Sequence, residues 1–207
     1  MRIGFFGGSF DPIHLGHLIL AEQCREQAQL DQVWFVPSSM SPLKQSSTVG
    51  SNRQRLEMVQ IAIAGHRGFQ ASEIELERGG VSFTVDTLRG LQSSHPDDEW
   101  FLVIGGDSLV NFSKWREPEE ICRLAIPLIY SRPNSPADLS VLRPFVDGAR
   151  MKEIERNAIR STLIDISSTE LRRRVAVGQS IRYLTPRAVE KYIESNGLYV
   201  ESKTPRE

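Results

Sequence analysis

Cysteine is scarce: the 207-residue chain contains only Cys24 and Cys122, too far apart to make a CxxC pair. That argues against a disulfide framework and against a zinc site, and it fits a reducing, cytoplasmic compartment. Long apolar runs are missing too. None approaches the roughly 18 residues that a membrane-spanning helix needs, and the first, Ile3 to Phe6, is interrupted at Gly7 and Gly8, too soon for a secretion signal. No membrane contact is expected. Neither sign of charge is in surplus, with 25 Lys and Arg against 26 Asp and Glu, so no global basic field gathers nucleic acid. Any anionic ligand must be held by a local site. The chain has no G-x-S-x-G nucleophile elbow, which speaks against a serine hydrolase. It also lacks the G-x-x-x-x-G-K-[ST] loop, so a phosphate site would have to be built differently from a P-loop.

What is present is an ordinary globular composition, 40% hydrophobic and 25% charged. It predicts one domain over residues 1–200, with a C-terminal helical part from 165 to 200 and a flexible polar tail from 201 to 207. Short apolar runs alternate with amphipathic stretches, which predicts an α/β fold: a Rossmann-like, doubly wound, mainly parallel sheet. Strands are expected at Ile3–Phe6, Val33–Val36, around Phe69, at Trp100–Ile104, Ala125–Tyr130 and Leu163–Ile166. Helices are expected to begin near Gly16, after Ser51 as N-cap, after Thr84 as N-cap, after Ser167, and at Thr185-Pro186 as N-cap and first residue. Leu18, Ala21, Cys24 and Ala28 mark the buried face of the first helix, and Leu56, Val59 and Ile63 that of the second. The Ser- and Pro-rich stretch from Pro37 to Gly50 reads as a long loop, and 134–160 as a helix with a variable loop.

Ligands of open α/β sheets bind beyond the carboxyl ends of the strands. Polar clusters follow the predicted strands at Gly8 to His17, Lys44, Gly105 to Ser108, Arg132, and Ser167 to Thr169 with Arg172. In the first, glycines after a strand let backbone approach a phosphate, and a helix N-terminus then directs free N–H groups at the same anion. His14 and His17 share one face of that helix start, with Gly16 between them leaving room for a base or sugar. Taken alone, two histidines near a turn are more often caps or surface residues; the strand–turn–helix context favours a ligand site. A metal site is not expected, because only His66 and His95 remain to complete a tetrahedral set.

The string Gly8 to His17, GSFDPIHLGH, resembles the [HT]xGH signature of the nucleotidylyltransferase superfamily. The blocks at Val81–Leu88, Gly105–Leu109 followed by Trp115, Ser131–Pro133, Ile166–Val175 and Tyr183–Tyr199 resemble, in order, those of its nicotinate mononucleotide adenylyltransferase family. Two positions depart from that pattern: Leu43 stands where a histidine is frequent and Asn134 where glycine is common.

The resemblance implies transfer of the adenylyl group of ATP to nicotinate mononucleotide, with Mg²⁺ carried mainly by the ATP phosphates. It implies that His14, His17, Lys44 and Arg172 meet the reacting phosphates. Gly7, Gly8, Ser9, Phe10, Gly105, Asp107, Ser131, Arg132, Ile166, Ser168 and Thr169 would hold ATP, and Lys44, Thr84, Gly106 and Trp115 the mononucleotide. A helix N-terminus at Thr84 favours a carboxylate over an amide, which argues for nicotinate over nicotinamide. A homo-oligomer is compatible with the sequence, which does not specify one. Three alternatives stay open: an adenylyltransferase for nicotinamide mononucleotide or another acceptor, a class I aminoacyl-tRNA synthetase core suggested by HLGH, and a nucleotide-sensing module without turnover.

Overall fold

The computed structural model describes residues 1–40, 48–131 and 136–200. Its elements begin with β1 (Arg2–Gly8), α1 (Leu15–Gln27), β2 (Gln32–Pro37), α2 (Asn52–Ile63), β3 (Phe69–Ala71), α3 (Ile74–Arg78), α4 (Thr84–Ser94) and β4 (Glu99–Gly105). They continue with α5 (Gly106–Leu109), α6 (Pro118–Leu124), β5 (Ile126–Ser131), α7 (Gly148–Arg156), β6 (Ile159–Arg160), α8 (Ser168–Ala176) and α9 (Arg187–Ser195). Short 3₁₀ segments lie at Phe112–Lys114 and Leu139–Phe145.

Among the described residues the sheet has six strands in the order β3-β2-β1-β4-β5-β6, and every neighbouring pair is parallel. This is the doubly wound, Rossmann-like arrangement. Helices cover both faces of such a sheet, so its inner strands read as unbroken apolar runs. Ile3 to Phe6, Val33 to Val36 and Trp100 to Ile104 are accordingly buried throughout.

Capping and periodicity explain the helices. Ser51 Oγ accepts from the Gln54 N–H at 3.2 Å while Gln54 Oε1 accepts from the Ser51 N–H at 2.9 Å, a reciprocal cap that starts α2. Gly65, with φ of 84°, lets the chain leave that helix. On α1 the buried stripe is Leu20, Ala21 and Cys24, with Leu18 only half-buried.

Three expectations are corrected. α4 is capped by Phe83, one residue before Thr84: the Phe83 carbonyl accepts the first helical hydrogen bonds, from Asp86 at 3.1 Å and Thr87 at 3.2 Å. α9 is capped by Pro186 and begins at Arg187, because the Thr185 hydroxyl is spent donating to the Ile13 carbonyl at 2.8 Å. Leu163–Ile166 is not a strand. Among the described residues the last strand is Ile159–Arg160, paired to Tyr130 and Ser131 where β5 ends; the Ser161 N–H still reaches the Ser131 carbonyl at 3.4 Å, and beyond it Ile164 and Ile166 serve a cavity wall instead. The short helix α3 carried no periodic signal in the sequence.

Candidate active site

The sheet order reverses between β1 and β4, and two cavities open at the carboxyl ends of the strands there, where crossovers to opposite sides leave a crevice. Gly7, Gly8 and Ser9 line both. Gly8 is required by packing: a Cβ there would lie 2.9 Å from Phe10 Cζ, whose ring is tucked beneath the loop.

The larger cavity, about 610 Å³, brings His14, His17, Ile166, Ser168, Thr169 and Arg172 together with Phe10. The His14 and His17 rings stack, 3.7 Å between centroids and 21° apart. His17 is held from its other side by the edge-on ring of Phe10 at 5.1 Å, and its Nδ1 accepts the His14 backbone N–H at 3.3 Å. The space at Gly16 is taken by the His14 ring, whose Nδ1 would sit 3.0 Å from a Cβ there; the glycine makes room for a histidine rather than for a base. On the opposite wall, Ser167 caps α8 by accepting the Glu170 N–H at 3.2 Å, and Ser168 Oγ donates to the Pro12 carbonyl at 2.9 Å. Of the three consecutive arginines of α8, Arg173 is tied to Glu170 and Arg174 to the Ser180 carbonyl, while Arg172 turns inward. Its Nη1 donates to the Asp11 carbonyl at 2.7 Å.

Burial pushes the His14 imidazole down from 6.5 to about 4. The ring is therefore uncharged at neutral pH, which the stack also favours, because two cations at that spacing would repel. As pH falls from the unfolded value of 6.5 toward about 4, the unfolded chain takes up a proton that folded His14 refuses, so stability is lost through that window. The full loss is on the order of 3 kcal/mol. Urea unfolding at about pH 7 and about pH 5 checks it. Wild type loses more stability than His14→Gln on acidification, and equal losses in the two proteins would show that His14 titrates normally.

Beneath the cavities lies a polar cluster that sequence reasoning missed. The buried Asp11 carboxylate accepts the N–H groups of Val49 at 2.8 Å and Gly50 at 3.0 Å, and the Tyr199 hydroxyl at 2.7 Å. Arg55, fully buried on the apolar face of α2, donates to the carbonyls of Ser9 at 2.8 Å and Ser38 at 2.6 Å and to Asn52 Oδ1 at 2.6 Å. The available signal was a cation at helical spacing with Val59 and Ile63.

The smaller cavity, about 450 Å³, includes Thr84 and Trp115 as expected, and also Ser38, Glu75, Lys114 and Arg116. Gly105, Gly106 and Asp107 sit at the end of β4 and the start of α5, and Ser131 at the end of β5, but none lines either cavity. Gly105 and Gly106 instead admit neighbours: a Cβ would come within 2.7 Å of Tyr130 Oη at the first and 3.2 Å of Ala137 Cβ at the second. Lys44 and Arg132 lie outside the described residues, as do most of the long loop expected before Gly50 and the departures at Leu43 and Asn134. Among the described residues no group of three or more His, Cys, Asp or Glu could hold a metal ion, and no helix is long and apolar enough to cross a membrane.

Fold and site together define a class: an α/β protein of doubly wound architecture with two cavities that meet at the β1 glycines. Comparison with known proteins narrows it. The chain is 44% identical over 199 residues to an Exiguobacterium sibiricum protein named "Probable nicotinate-nucleotide adenylyltransferase", covering 96% of this chain and 99% of that one. It is 41% identical over 200 residues to a protein of the same name from Rhodopirellula baltica, covering 95% and 92%. Its fold matches that of Plasmodium falciparum nicotinic acid mononucleotide adenylyltransferase complexed with NaAD, with a TM-score of 0.75 at 20% identity over 96% of this chain and 97% of that one. The chain belongs to the cytidylyltransferase-like family, whose model matches residues 5–174, and within it to the nicotinate-nucleotide adenylyltransferases.

Proposed function

We propose that the chain transfers the adenylyl group of ATP to nicotinate mononucleotide, giving nicotinate adenine dinucleotide and pyrophosphate in the cytoplasmic synthesis of NAD. The observation that carries this reading is the pair of cavities sharing Gly7 to Ser9. ATP occupies the cavity with His14, His17, Arg172 and the N-terminus of α8; the mononucleotide occupies the one with Trp115 and the N-terminus of α4. A phosphate oxygen of the mononucleotide attacks the α-phosphorus, a new P–O bond forms, and the bond to pyrophosphate breaks. The nucleophile is already ionised, so neither a base nor a covalent intermediate is needed. The protein's task is to hold two anions in line and stabilise charge on the α-phosphate and the leaving group.

His14 and His17 supply donors near the α-phosphate, and Arg172 with the first N–H groups of α8 hold the outer phosphates. Magnesium, held by the ATP phosphates and water, would neutralise part of their charge. The described lining of the larger cavity contains no carboxylate, which suits an ion brought by the substrate. In this reading residues 165–200 complete the ATP site of a single unit spanning 1–200. Asp107, Gly106, Lys44 and Arg132 are assigned by motif resemblance alone.

Pyrophosphate release from ATP and Mg²⁺ with nicotinate or nicotinamide mononucleotide tests the reading. Nicotinate is preferred; equal rates would remove the acceptor assignment, and no release with either would leave a binding module. Trp115→Ala raises the KM for the mononucleotide about tenfold or more through loss of stacking area, with little change in the KM for ATP. A larger rise for ATP would reverse the assignment of the two cavities.

A further inference from the structure

The charged groups around the smaller cavity point to a residue that decides which acceptor is used. Three described charged side chains line it: Lys114 and Arg116, and a single carboxyl, Glu75. Glu75 is buried and accepts the Thr87 hydroxyl at 2.7 Å, and burial raises its pKa, so its negative charge is both engaged and disfavoured. The cavity wall therefore carries a positive balance.

Arg116 has the more defined position of the two cations. It follows Trp115 in the chain, and its guanidinium carbon lies 5.0 Å over the ring of Phe83, the residue that caps α4. The guanidinium thus lies at the N-terminus of α4, on the wall of the cavity that Trp115 also lines. Asp86 in the first turn of that helix fixes it, accepting from Nη1 at 3.2 Å. Glu117 Oε1 lies 3.6 Å from Nε. Asp86 and Glu117 are themselves shared with Arg89, at 3.8 Å and 2.5 Å, which leaves neither carboxylate to neutralise Arg116 alone. Among the described residues Nη2 makes no hydrogen bond, and a guanidinium can present a pair of parallel N–H groups to one carboxylate.

We propose that Arg116 reads the carboxylate of the pyridine ring and so selects nicotinate over nicotinamide mononucleotide. This rests on the assignment of the smaller cavity to the acceptor. The two acceptors share ribose and phosphate and differ only in carboxylate against uncharged amide, so their ratio isolates the contact. A charge-assisted pair lost on one acceptor and not on the other changes that ratio about tenfold to a hundredfold.

The test is kcat/KM for both acceptors in wild type, Arg116→Ala, Arg116→Lys, Asp86→Asn and Trp115→Ala. Arg116→Ala lowers the nicotinate-to-nicotinamide ratio about tenfold or more, mainly through KM for nicotinate mononucleotide, and Arg116→Lys restores part of it, since lysine keeps the charge without the planar fork. Asp86→Asn keeps the ratio or raises it, because it removes a competing anion. An unchanged ratio in Arg116→Ala, or an Asp86→Asn variant that reproduces the Arg116→Ala loss, would overturn the proposal in favour of a purely structural role for the ion pair. Trp115→Ala separates the two levels. If it weakens both acceptors while Arg116→Ala leaves the ratio alone, only the role of Arg116 fails. If it spares both acceptors, the cavity assignment fails and the Arg116 proposal with it.

Discussion

His17→Ala lowers kcat by about two to three orders of magnitude, the range for removal of one donor aimed at developing charge, and leaves the unfolding midpoint nearly unmoved. His17 Nδ1 accepts the His14 backbone N–H at 3.3 Å, so the neutral ring carries its proton on Nε2 and is a donor on the wall of the larger cavity. Its plane is set by the His14 stack and the Phe10 edge, which holds the donor in place before substrate arrives. The ring is only half-buried and its loss removes one acceptor at a helix start, a cost of about 1 kcal/mol. A group that acts in the transition state lowers kcat and kcat/KM together. Steady-state kinetics beside thermal unfolding decides the matter, and a near-normal kcat in a folded variant would remove His17 from the phosphate site.

Arg55→Ala destabilises the fold by about 3–5 kcal/mol, the range for removing one member of a buried charged network. Arg55 is fully buried, and burial pushes its pKa down while the charge of Asp11 opposes that. Its guanidinium satisfies the Ser9 and Ser38 carbonyls, at the ends of β1 and β2, together with Asn52 at the start of α2. Alanine removes the donor that those oxygens share in a buried site, removes a positive charge that Asp11 stabilises, and opens a cavity the size of the lost side chain. Ser9 lies where the two cavities meet, so activity measured well below the unfolding temperature is expected to fall as well. Urea unfolding that shows a loss below about 1 kcal/mol would mean that water replaces the guanidinium at no cost.

Much of the fold was legible because its signals are local. Buried parallel strands announce themselves as apolar runs, and Ser51 and Ser167 start helices through bonds to residues three positions on. Where a long-range contact competed, the local reading slipped. Thr185 has the sequence of a helix cap, yet its hydroxyl is claimed by Ile13 across the molecule. Leu163 to Ile166 alternates like a strand, but a strand exists only where a neighbour offers backbone, and β5 ends beside Ile159–Arg160.

The site divides the same way. The larger cavity brings together His14, His17, Ser168, Thr169 and Arg172, residues that the sequence places at turns after strands and at helix starts. That Arg172 alone among its neighbours turns inward follows in part from helical spacing, but its anchor on the Asp11 carbonyl is a tertiary contact. Gly105 and Gly106 were read from sequence as lining a ligand pocket; the structure adds that a Cβ at either would crowd Tyr130 or Ala137, a contact that chain order does not reveal. Asp11, Arg55 and Tyr199 were invisible as a group, since their partners are scattered along the chain and only folding brings them together.

By itself, then, the sequence determined the alternation of strands and helices and the position of the polar turns at strand ends, because hydrogen-bonding periodicity and capping act over a few residues. Only the tertiary structure decided that those turns converge on Gly7 to Ser9 and that a buried arginine and aspartate brace them. It also placed a second arginine, Arg116, on the wall of the smaller cavity. Charge and burial depend on what lies nearby in space, and chain order does not encode that distance.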